Sequence, residues 1–325
     1  MSPAAHPRLI FGGSSIGDHY ATPQEVTGLL QRLRVTGIRE LDTAARYPAI
    51  KFGASEQLLG EVGAAAQGFA VDTKILVLST DGNGSLEPAK IQDSVSKSRV
   101  ALQMGVEKLN VLYCHVPDFE TPLEVQAAAL DALHKKGTFD KLGVCSWPEE
   151  MLDQFIAICD RKGYVKPTVY QGLYNLVCRG HESIFPALRK HGIVYNAYSP
   201  LGGGFLSGKL TSGSIEGTRF GRDNIVAYYS RLQYDKQELH DAVNALDDIL
   251  QSANISKIEA ALRWISYHSS LGAEDGIILG ASKLQYLDEN IAAIEKGPLP
   301  AEIASRMSGL WGPLSGQWEK KNGRI

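Results

Sequence analysis

The chain alternates between two patterns of apolar and polar residues. Short runs rich in β-branched and aromatic residues predict β-strands, and longer stretches with apolar residues three or four apart predict amphipathic α-helices. We predict strands at Arg8–Gly13, Ile38–Ala44, Phe69–Ile75, Lys108–Val116, Phe139–Ser146, Thr168–Tyr174, Gly192–Ser199 and Gly276–Ser282. The alternation predicts an α/β protein in which each strand is followed by a helix.

The number of elements narrows the fold class. Prolines near the first helical position support the helix starts, at Pro23, Pro88, Pro122 and Pro148. Eight strands alternating with about eight helices predict a (β/α)8 TIM barrel, forming a single domain over residues 1–325. A doubly wound sheet is the alternative, but FGGSSIG after the first strand lacks the GxGxxG spacing that would favour it.

Two segments interrupt the alternation. The segment Leu201–Asp235, which follows the seventh strand, is too long for an ordinary barrel connection and predicts a binding loop. A C-terminal tail runs from Gly297 to Ile325, and we expect it to pack on the barrel or border its mouth.

Composition excludes several classes of partner. Hydrophobic residues make up 44% of the chain and charged residues 21%, and the net charge is -3. These values give no electrostatic reason to expect nucleic acid or a membrane as partner, and no apolar run is long enough to cross a bilayer. The N-terminus does not resemble a signal peptide, and the four cysteines lack CxxC spacing, so we expect reduced thiols and a cytoplasmic location.

Candidate chemistry lies where the second, third and fourth strands end. Asp42 and Lys74 end predicted strands, His115 lies at the end of the next, and Tyr47 follows Asp42 in the loop. Barrel enzymes place catalytic groups at these carboxyl ends, so we expect the four side chains to converge. A nearby ammonium lowers the pKa of a phenol, so Lys74, held by Asp42, would make Tyr47 a better proton donor. His115 would hydrogen-bond a carbonyl oxygen, and no metal is required.

Each of these residues also has an ordinary structural explanation. Asp42 could cap a loop, Lys74 could be a solvated charge, and His115 could be a structural histidine. Their order on successive strand ends favours catalysis over these alternatives. Two other functions stay open at this point: a Schiff-base lyase using Lys74, and a cofactor-binding regulatory subunit without turnover.

The motifs around these residues resemble the aldo-keto reductases, in the branch of aflatoxin-aldehyde and succinic-semialdehyde reductases. The similar segments include LDTAARY, VDTKI, LYCHVPD, TVYQGLYN, YNAYSPLGGGFLSGK and LGASKLQYLDENIAAIEKGPL. The resemblance implies that Asp42, Tyr47, Lys74 and His115 form the catalytic tetrad. It also implies NADPH-dependent reduction of aldehydes or ketones to alcohols. In that reaction a hydride passes from C4 of the nicotinamide and Tyr47 donates the proton; an NAD-dependent sugar or alcohol dehydrogenase is the alternative.

Polar groups on the later strand ends suit a nicotinamide. Ser146, Gln171 and Asn175 offer hydroxyl and amide partners, and Tyr198 offers a ring for stacking. The family commonly has Ser-Asn where this chain has Cys145-Ser146, so a hydroxyl replaces an amide at the carboxamide contact.

The segments after the seventh and eighth strands predict the phosphate and adenine contacts. In SPLGGGFLSGK the glycines let backbone N–H groups approach phosphate oxygens, and Lys209 adds positive charge. Ser282 and Lys283 stand at a predicted helix N-terminus, where an anion is favoured. We favour NADPH (NADP+) over NADH. The resemblance assigns further cofactor contacts to Ser199, Leu201, Gly203, Lys209, Gly280, Glu289 and Asn290.

The substrate end is predicted from the long segment. By resemblance, Arg231 would bind a substrate carboxylate, although the tail sequence GQWEKKNGRI lacks the second arginine of such relatives in a matching position. Tyr47, Tyr228 and Trp311 could instead line an apolar pocket, and His115 would contact the carbonyl. We expect a small-molecule carbonyl substrate as partner, and the resemblance implies a possible homodimer.

Overall fold

Parallel strands form a closed barrel in the order in which they occur along the chain. The strands are β1 (Arg8–Gly12), β2 (Glu40–Asp42), β3 (Ala70–Lys74), β4 (Leu109–Cys114), β5 (Phe139–Cys145), β6 (Pro167–Leu173), β7 (Val194–Tyr198) and β8 (Gly276–Leu279). This computed structural model describes residues 6–79 and 81–321, with side chains as far as residue 316. Each strand pairs with the next, and β8 pairs with β1. The barrel prediction is confirmed.

Helices surround the barrel. They are α1 (Pro23–Val35), α2 (Ala54–Glu61), α3 (Pro88–Ala101), α4 (Leu123–Lys135), α5 (Glu149–Lys162), α6 (Phe185–Lys190), α7 (Ile225–Tyr234), α8 (Gln237–Leu250), α9 (Lys257–Tyr267), α10 (Leu284–Glu295), α11 (Ala301–Gly309) and α12 (Gly312–Lys321). Thr22 and Glu25 form a capping box at the start of α1, as a Thr-Pro helix start suggests. Over the ranges that the structure describes, every helix is too short or too polar to span a bilayer.

Most strands are shorter than the sequence predicts. The predicted strand Ile38–Ala44, for example, is reduced to Glu40–Asp42. Backbone hydrogen bonding nevertheless continues past this end, because the Thr43 N–H donates to the Asp72 carbonyl at 2.9 Å and the Ala45 N–H donates to the Lys74 carbonyl at 3.3 Å. The chain therefore leaves the regular ladder gradually at the mouth of the barrel, and this mouth carries the candidate site.

The long segment and the tail both contain regular structure. Short 3₁₀ turns at Gly202–Ser207 and Arg219–Gly221 precede α7, so Leu201–Asp235 is a folded excursion and not an open loop. The tail forms α11 and α12, and Trp311 between them packs against the main core. Part of the tail sequence GQWEKKNGRI lies outside the described side chains.

The core has two parts, which alternate along the strands. Leu112 and Cys114 of β4 belong to the large core beneath the helices. Val111 and Tyr113 of the same strand belong to a small cluster with Cys145 and Val169. Successive side chains of a strand point to opposite faces, so the small cluster fills the inside of the barrel.

The inside of the barrel also holds a buried acid. Asp72 is fully buried, and its Oδ1 accepts a hydrogen bond from Asn110 at 2.6 Å. Over the part of the chain that the structure describes, its Oδ2 has no hydrogen-bond partner, and the carboxyl group of Glu40 lies near it. Burial raises the pKa of Asp72 well above its ordinary value, and the charges of Glu40 and Asp42 raise it further. Asp72 therefore keeps its proton to a higher pH than an exposed aspartic acid does.

Candidate active site

The predicted catalytic residues lie at one mouth of the barrel. Asp42 is the last residue of β2 and Lys74 is the last residue of β3. His115 directly follows β4, and Tyr47 lies in the loop between β2 and α2. Because the strands are parallel, their carboxyl ends share one mouth, and the fold brings these positions to the place where barrel enzymes carry their chemistry.

Lys74 and Asp42 form a buried ion pair. The Lys74 Nζ donates to Asp42 Oδ1 at 2.6 Å and to the Thr43 carbonyl at 2.8 Å, and both charged side chains are almost completely buried. Gln171 Nε2 donates to the same Asp42 oxygen at 2.8 Å. An ammonium has three donors, so one remains after these two bonds.

The Lys74 ammonium also lies close to two tyrosine rings, that of Tyr47 and, at 5.5 Å from its centre, that of Tyr113. Its Nζ lies 5.0 Å from the centre of the Tyr47 ring. The ring of His115 lies 5.8 Å from that of Tyr47, at an angle of 85°. Tyr47 and His115 are partly accessible, whereas Asp42 and Lys74 are buried beneath them. The four residues form one cluster, with the phenol and the imidazole at the surface that a substrate can reach.

Burial and the neighbouring charges shift the pKa values of both Lys74 and Tyr47. Burial disfavours the Lys74 ammonium, but the charges of Asp42 and Tyr47 outweigh burial and raise the pKa of Lys74. Burial is also the largest influence on Tyr47, and it raises the pKa of this phenol; Lys74 acts in the opposite direction. The ammonium has the predicted effect, but the expectation of a lowered pKa overall was wrong, because desolvation of the phenolate is larger.

His115 is held in its neutral form. Burial lowers its pKa to about 3, and the positive charges of Lys74 and Arg46 act in the same direction. Its Nδ1 is buried and has no hydrogen-bond partner among the described residues. A neutral imidazole carries one N–H donor, so His115 can hydrogen-bond a carbonyl oxygen but is a poor source of a proton.

The ends of β5 and β7 carry unusual backbone geometry. Ser146 and Ser199 have positive φ angles of 52° and 55°, which residues other than glycine rarely adopt. Ser146 hydrogen-bonds the Tyr198 side chain, and Asn175 Nδ2 donates to the Ser199 carbonyl at 3.0 Å. Strained residues of this kind concentrate at ligand sites, which agrees with the predicted nicotinamide contacts. Gln171, also a predicted nicotinamide contact, donates a hydrogen bond to Asp42.

The glycine loop after β7 is shaped to admit another group. Gly202, Gly203 and Gly204 have φ angles of 60°, 64° and 100°, so each takes a conformation that disfavours a side chain. A Cβ atom on Gly204 would meet nothing within 4 Å. Leu201 precedes the turn, and Lys209 is exposed after it. The loop fits a dinucleotide pyrophosphate, because bare backbone can approach the phosphates closely.

The end of β8 leads into a helix start, as predicted. Lys283 is the N-cap residue of α10, and its side chain makes no capping hydrogen bond. Ser282 is half-buried and Gly280 is exposed, with nothing within 4 Å of a Cβ placed there. Asn290 is buried on α10, and the exposed Glu289 accepts from Gln285 Nε2 at 2.8 Å. An open surface beside a free helix N-terminus suits an anionic ribose phosphate.

The predicted substrate residues of the long segment lie on α7. Arg231 is exposed and donates to the Phe220 carbonyl. Tyr228 is exposed and packs edge-on against Tyr229, with ring centres 5.3 Å apart. Arg231 is thus bound to a backbone carbonyl, and Tyr228 is exposed to solvent. The role of both residues in binding a substrate stays a prediction.

Two residues near the site were not among the predicted contacts. Cys145, the last residue of β5, is buried and close enough to influence the pKa values of Tyr47, Lys74 and Tyr198. Arg219 also acts on the pKa of Tyr47. The sequence places Cys145 at a strand end, but a small thiol there gave no chemical reason to predict it as a site residue.

Comparison with known proteins agrees with this geometry. The sequence model of the Aldo/keto reductase family matches residues 8–311. The chain belongs to the aldo/keto reductase family. It is 33% identical to the aflatoxin B1 aldehyde reductase member 2 of Homo sapiens, over 96% of this chain and 89% of the relative. It is 32% identical to an aldo-keto reductase of Pseudocercospora fijiensis, over 87% of this chain and 96% of that protein.

A third relative has similar coverage. The oxidoreductase sirO of Leptosphaeria maculans is 31% identical, over 96% of each chain. Because these matches cover nearly the whole barrel, this aldo-keto reductase is an oxidoreductase whose family acts on small carbonyl compounds. The resemblance stated from the sequence motifs is confirmed.

Proposed function

We propose that this aldo-keto reductase uses NADPH to reduce aldehydes or ketones to alcohols, with Tyr47 as the proton donor. The observation that carries the proposal is the buried Lys74–Asp42 pair, whose ammonium lies 5.0 Å from the centre of the Tyr47 ring. A buried charge pair is expensive to maintain, and its position beneath an accessible phenol gives it a chemical purpose.

Each residue of the cluster has a distinct task. Bound NADPH supplies a hydride for the carbonyl carbon. Tyr47, whose raised pKa keeps it protonated at neutral pH, donates its proton to the carbonyl oxygen. Lys74 stabilises the phenolate that Tyr47 then becomes, and Asp42 with Gln171 holds Lys74 in place. Neutral His115 donates a hydrogen bond to the same oxygen and fixes its approach.

The proposed cofactor contacts divide among four strand ends. Ser146, Gln171 and Tyr198 would hold the nicotinamide, and the loop from Ser199 through Leu201 and Gly203 to Lys209 would hold the pyrophosphate. The free helix N-terminus at Ser282 and Lys283 supports NADPH over NADH, because it favours the additional 2′-phosphate. Gly280, Glu289 and Asn290 would border the adenine.

The experiment is a panel of carbonyl compounds assayed with NADPH and NADH side by side. We expect oxidation of NADPH with neutral aldehydes such as aromatic aldehydes, and a lower kcat/KM with NADH. Cofactor binding without oxidation for any carbonyl would contradict the enzyme proposal and favour a regulatory subunit. Faster alcohol oxidation with NAD+ at neutral pH would favour the dehydrogenase alternative.

We also propose that the protein is cytoplasmic and that it forms a homodimer. Exposed apolar side chains lie on one face of α7 at helical spacing: Ile225, Tyr228, Tyr229 and Leu232. They expose roughly 400 Å² per copy, the size at which a patch on a monomer is often functional. In light scattering, Leu232→Glu should lower the mass from dimer to monomer. The matched change Val100→Glu, on exposed α3, should not, and a monomeric parent protein would refute the dimer.

A further inference from the structure

The loop that carries His115 is held by a buried carboxylate. This loop connects β4 to α4, and His115 is its first residue. Asp118 lies three residues further along the loop and is 1% exposed. Its carboxylate accepts five hydrogen bonds of 2.8 to 3.1 Å, from the N–H groups of Gly84, Leu86, Glu120 and Thr121 and from the Thr121 hydroxyl. Asp118 is therefore fully occupied as an acceptor.

The five bonds join two neighbouring loops at the mouth of the barrel. Two of the donors, Gly84 and Leu86, lie in the connection between β3 and α3, and the other three lie in the β4–α4 loop itself. A Cβ on Gly82 of the first loop would lie only 2.2 Å from the Val116 side chain of the second. The two loops are therefore in direct contact beside the carboxylate, and the carboxylate fixes one against the other.

Asp118 favours its charged form although it is buried. Burial raises the pKa of its carboxyl group, but the hydrogen bonds from Leu86, Thr121 and Gly84 outweigh burial and lower the pKa overall. A buried carboxylate that depends on N–H donors is satisfied only when those donors converge on it. The charge of Asp118 therefore selects one conformation of the β4–α4 loop.

His115 has little else to fix its direction. Its Nδ1 is buried, and no described residue forms a hydrogen bond with it. Its ring packs edge-on against Tyr47, and the two ring centres are 5.8 Å apart. The direction of the imidazole therefore depends on the backbone from which it projects. That backbone is held by β4 on one side and by Asp118 on the other.

We propose that Asp118 is a positioning residue for His115. It acts through the backbone of the loop and sets the direction in which the imidazole presents its N–H to the carbonyl oxygen. The inference rests on the proposed function, in which His115 donates that hydrogen bond. A displacement of about 1 Å in such a group can cost about 100-fold in rate, so the bonds of Asp118 serve turnover as well as folding.

The test is a double-mutant cycle between Asp118→Asn and His115→Ala. Asparagine keeps the shape of the side chain, but its amide nitrogen cannot accept the bonds that one carboxylate oxygen accepts. We expect Asp118→Asn alone to lower kcat/KM for an aromatic aldehyde about 10- to 100-fold, with the dissociation constant for NADPH unchanged. In the His115→Ala protein the same change should lower kcat/KM by less than about 2-fold, because the imidazole that Asp118 positions is gone.

The variant Asp275→Asn is the matched control. Asp275 is also a fully buried carboxylate that accepts from backbone N–H groups, those of Tyr195 and Gly272, both at 2.7 Å. It also pairs with Arg189. It directly precedes β8 and therefore lies at the opposite mouth of the barrel. Asp275→Asn should lower the melting temperature, as Asp118→Asn does, but should leave kcat/KM unchanged.

A milder pair of variants decides the question if Asp118→Asn does not fold. Thr121→Val removes only the hydroxyl that donates to Asp118 Oδ2 at 2.8 Å and leaves the other four bonds. It should lower kcat/KM by about 3-fold in the parent protein and not in the His115→Ala protein. Thr121→Ser keeps the hydroxyl and should restore the parent value.

Three outcomes would overturn the inference. They are an equal loss of kcat/KM from Asp118→Asn with and without His115, an unchanged kcat/KM in Asp118→Asn, and a loss of the same size in Asp275→Asn. Failure of the proposed function would look different. A parent protein that oxidises no NADPH with any aldehyde refutes that function and this role with it, whereas an active parent with equal losses refutes the role of Asp118 alone.

Discussion

Replacing Lys74 with methionine tests the electrostatic basis of the proposed proton donor. Methionine keeps much of the length of the side chain but removes the charge that lies 5.0 Å from the centre of the Tyr47 ring. At an effective dielectric constant of about 20, two unit charges about 5 Å apart interact with about 3 kcal/mol. Because Lys74 favours the phenolate, its loss should raise the pKa of Tyr47 further.

The change has two kinetic consequences. Carbonyl reduction should slow by about 10- to 100-fold, since the acid is weaker and its phenolate is no longer stabilised. Alcohol oxidation needs the phenolate form, so the rise of its rate with pH should move to higher pH. Steady-state rates in both directions over a range of pH values measure both effects.

The variant needs a control for stability. Lys74→Met alone leaves Asp42 buried without its partner, which typically costs about 3–5 kcal/mol. The double variant Asp42→Asn with Lys74→Met removes both charges and leaves an amide that can still contact Gln171. If this double variant folds, binds NADPH and reduces aldehydes at the parent rate, or if the pH limb for oxidation does not move, the electrostatic reasoning is refuted.

Three further predictions address other parts of the molecule. Asp72→Asn should stabilise the protein at pH 7. The pKa of Asp72 is higher in the folded than in the unfolded state, so its contribution to the free energy of unfolding is fully present below about pH 3.8. It falls by about 1.4 kcal/mol per pH unit as the pH rises from there toward the folded pKa. Melting temperatures between pH 4.5 and 8 measure this, and a gain that does not grow with pH would count against a neutral Asp72. Gly203→Ala should weaken NADPH binding by about 10-fold through strain at its φ of 64°, whereas Gly192→Ala, at a φ of 66° with open space around it, should lower stability but leave NADPH affinity unchanged. The rate of reduction should show no limb from His115 between pH 5 and 8, since its pKa is about 3; a limb that disappears in His115→Asn would contradict this.

The sequence predicted the barrel and the cluster for the same reason. Asp42 and Lys74 lie at the ends of two successive strands, and His115 directly follows the next one. Parallel strands bring those ends to one mouth, so the three residues could be placed together from strand boundaries alone. Tyr47 required only a short loop. The positions were predictable because they follow from strand order and not from side-chain packing.

Properties that depend on packing could not be predicted in this way. The pKa of Tyr47 is the balance of burial against the charge of Lys74, and a sequence gives the charge but not the burial. The loop arginines are similar in sequence context, yet Arg222 pairs with Asp18 and Arg231 donates to a carbonyl, while Arg219 has no hydrogen bond or ion pair with any described residue. Which of them is free is decided by contacts between distant segments.

The most direct test of the account compares the parent protein with Tyr47→Phe. Phenylalanine keeps the ring beside Lys74 and His115 and removes only the hydroxyl group that would carry the proton. We expect the rate of aldehyde-dependent NADPH oxidation to fall by at least about 100-fold, with the dissociation constant for NADPH unchanged. A variant that keeps most of the parent rate would show that another group supplies the proton, and the central claim would be wrong.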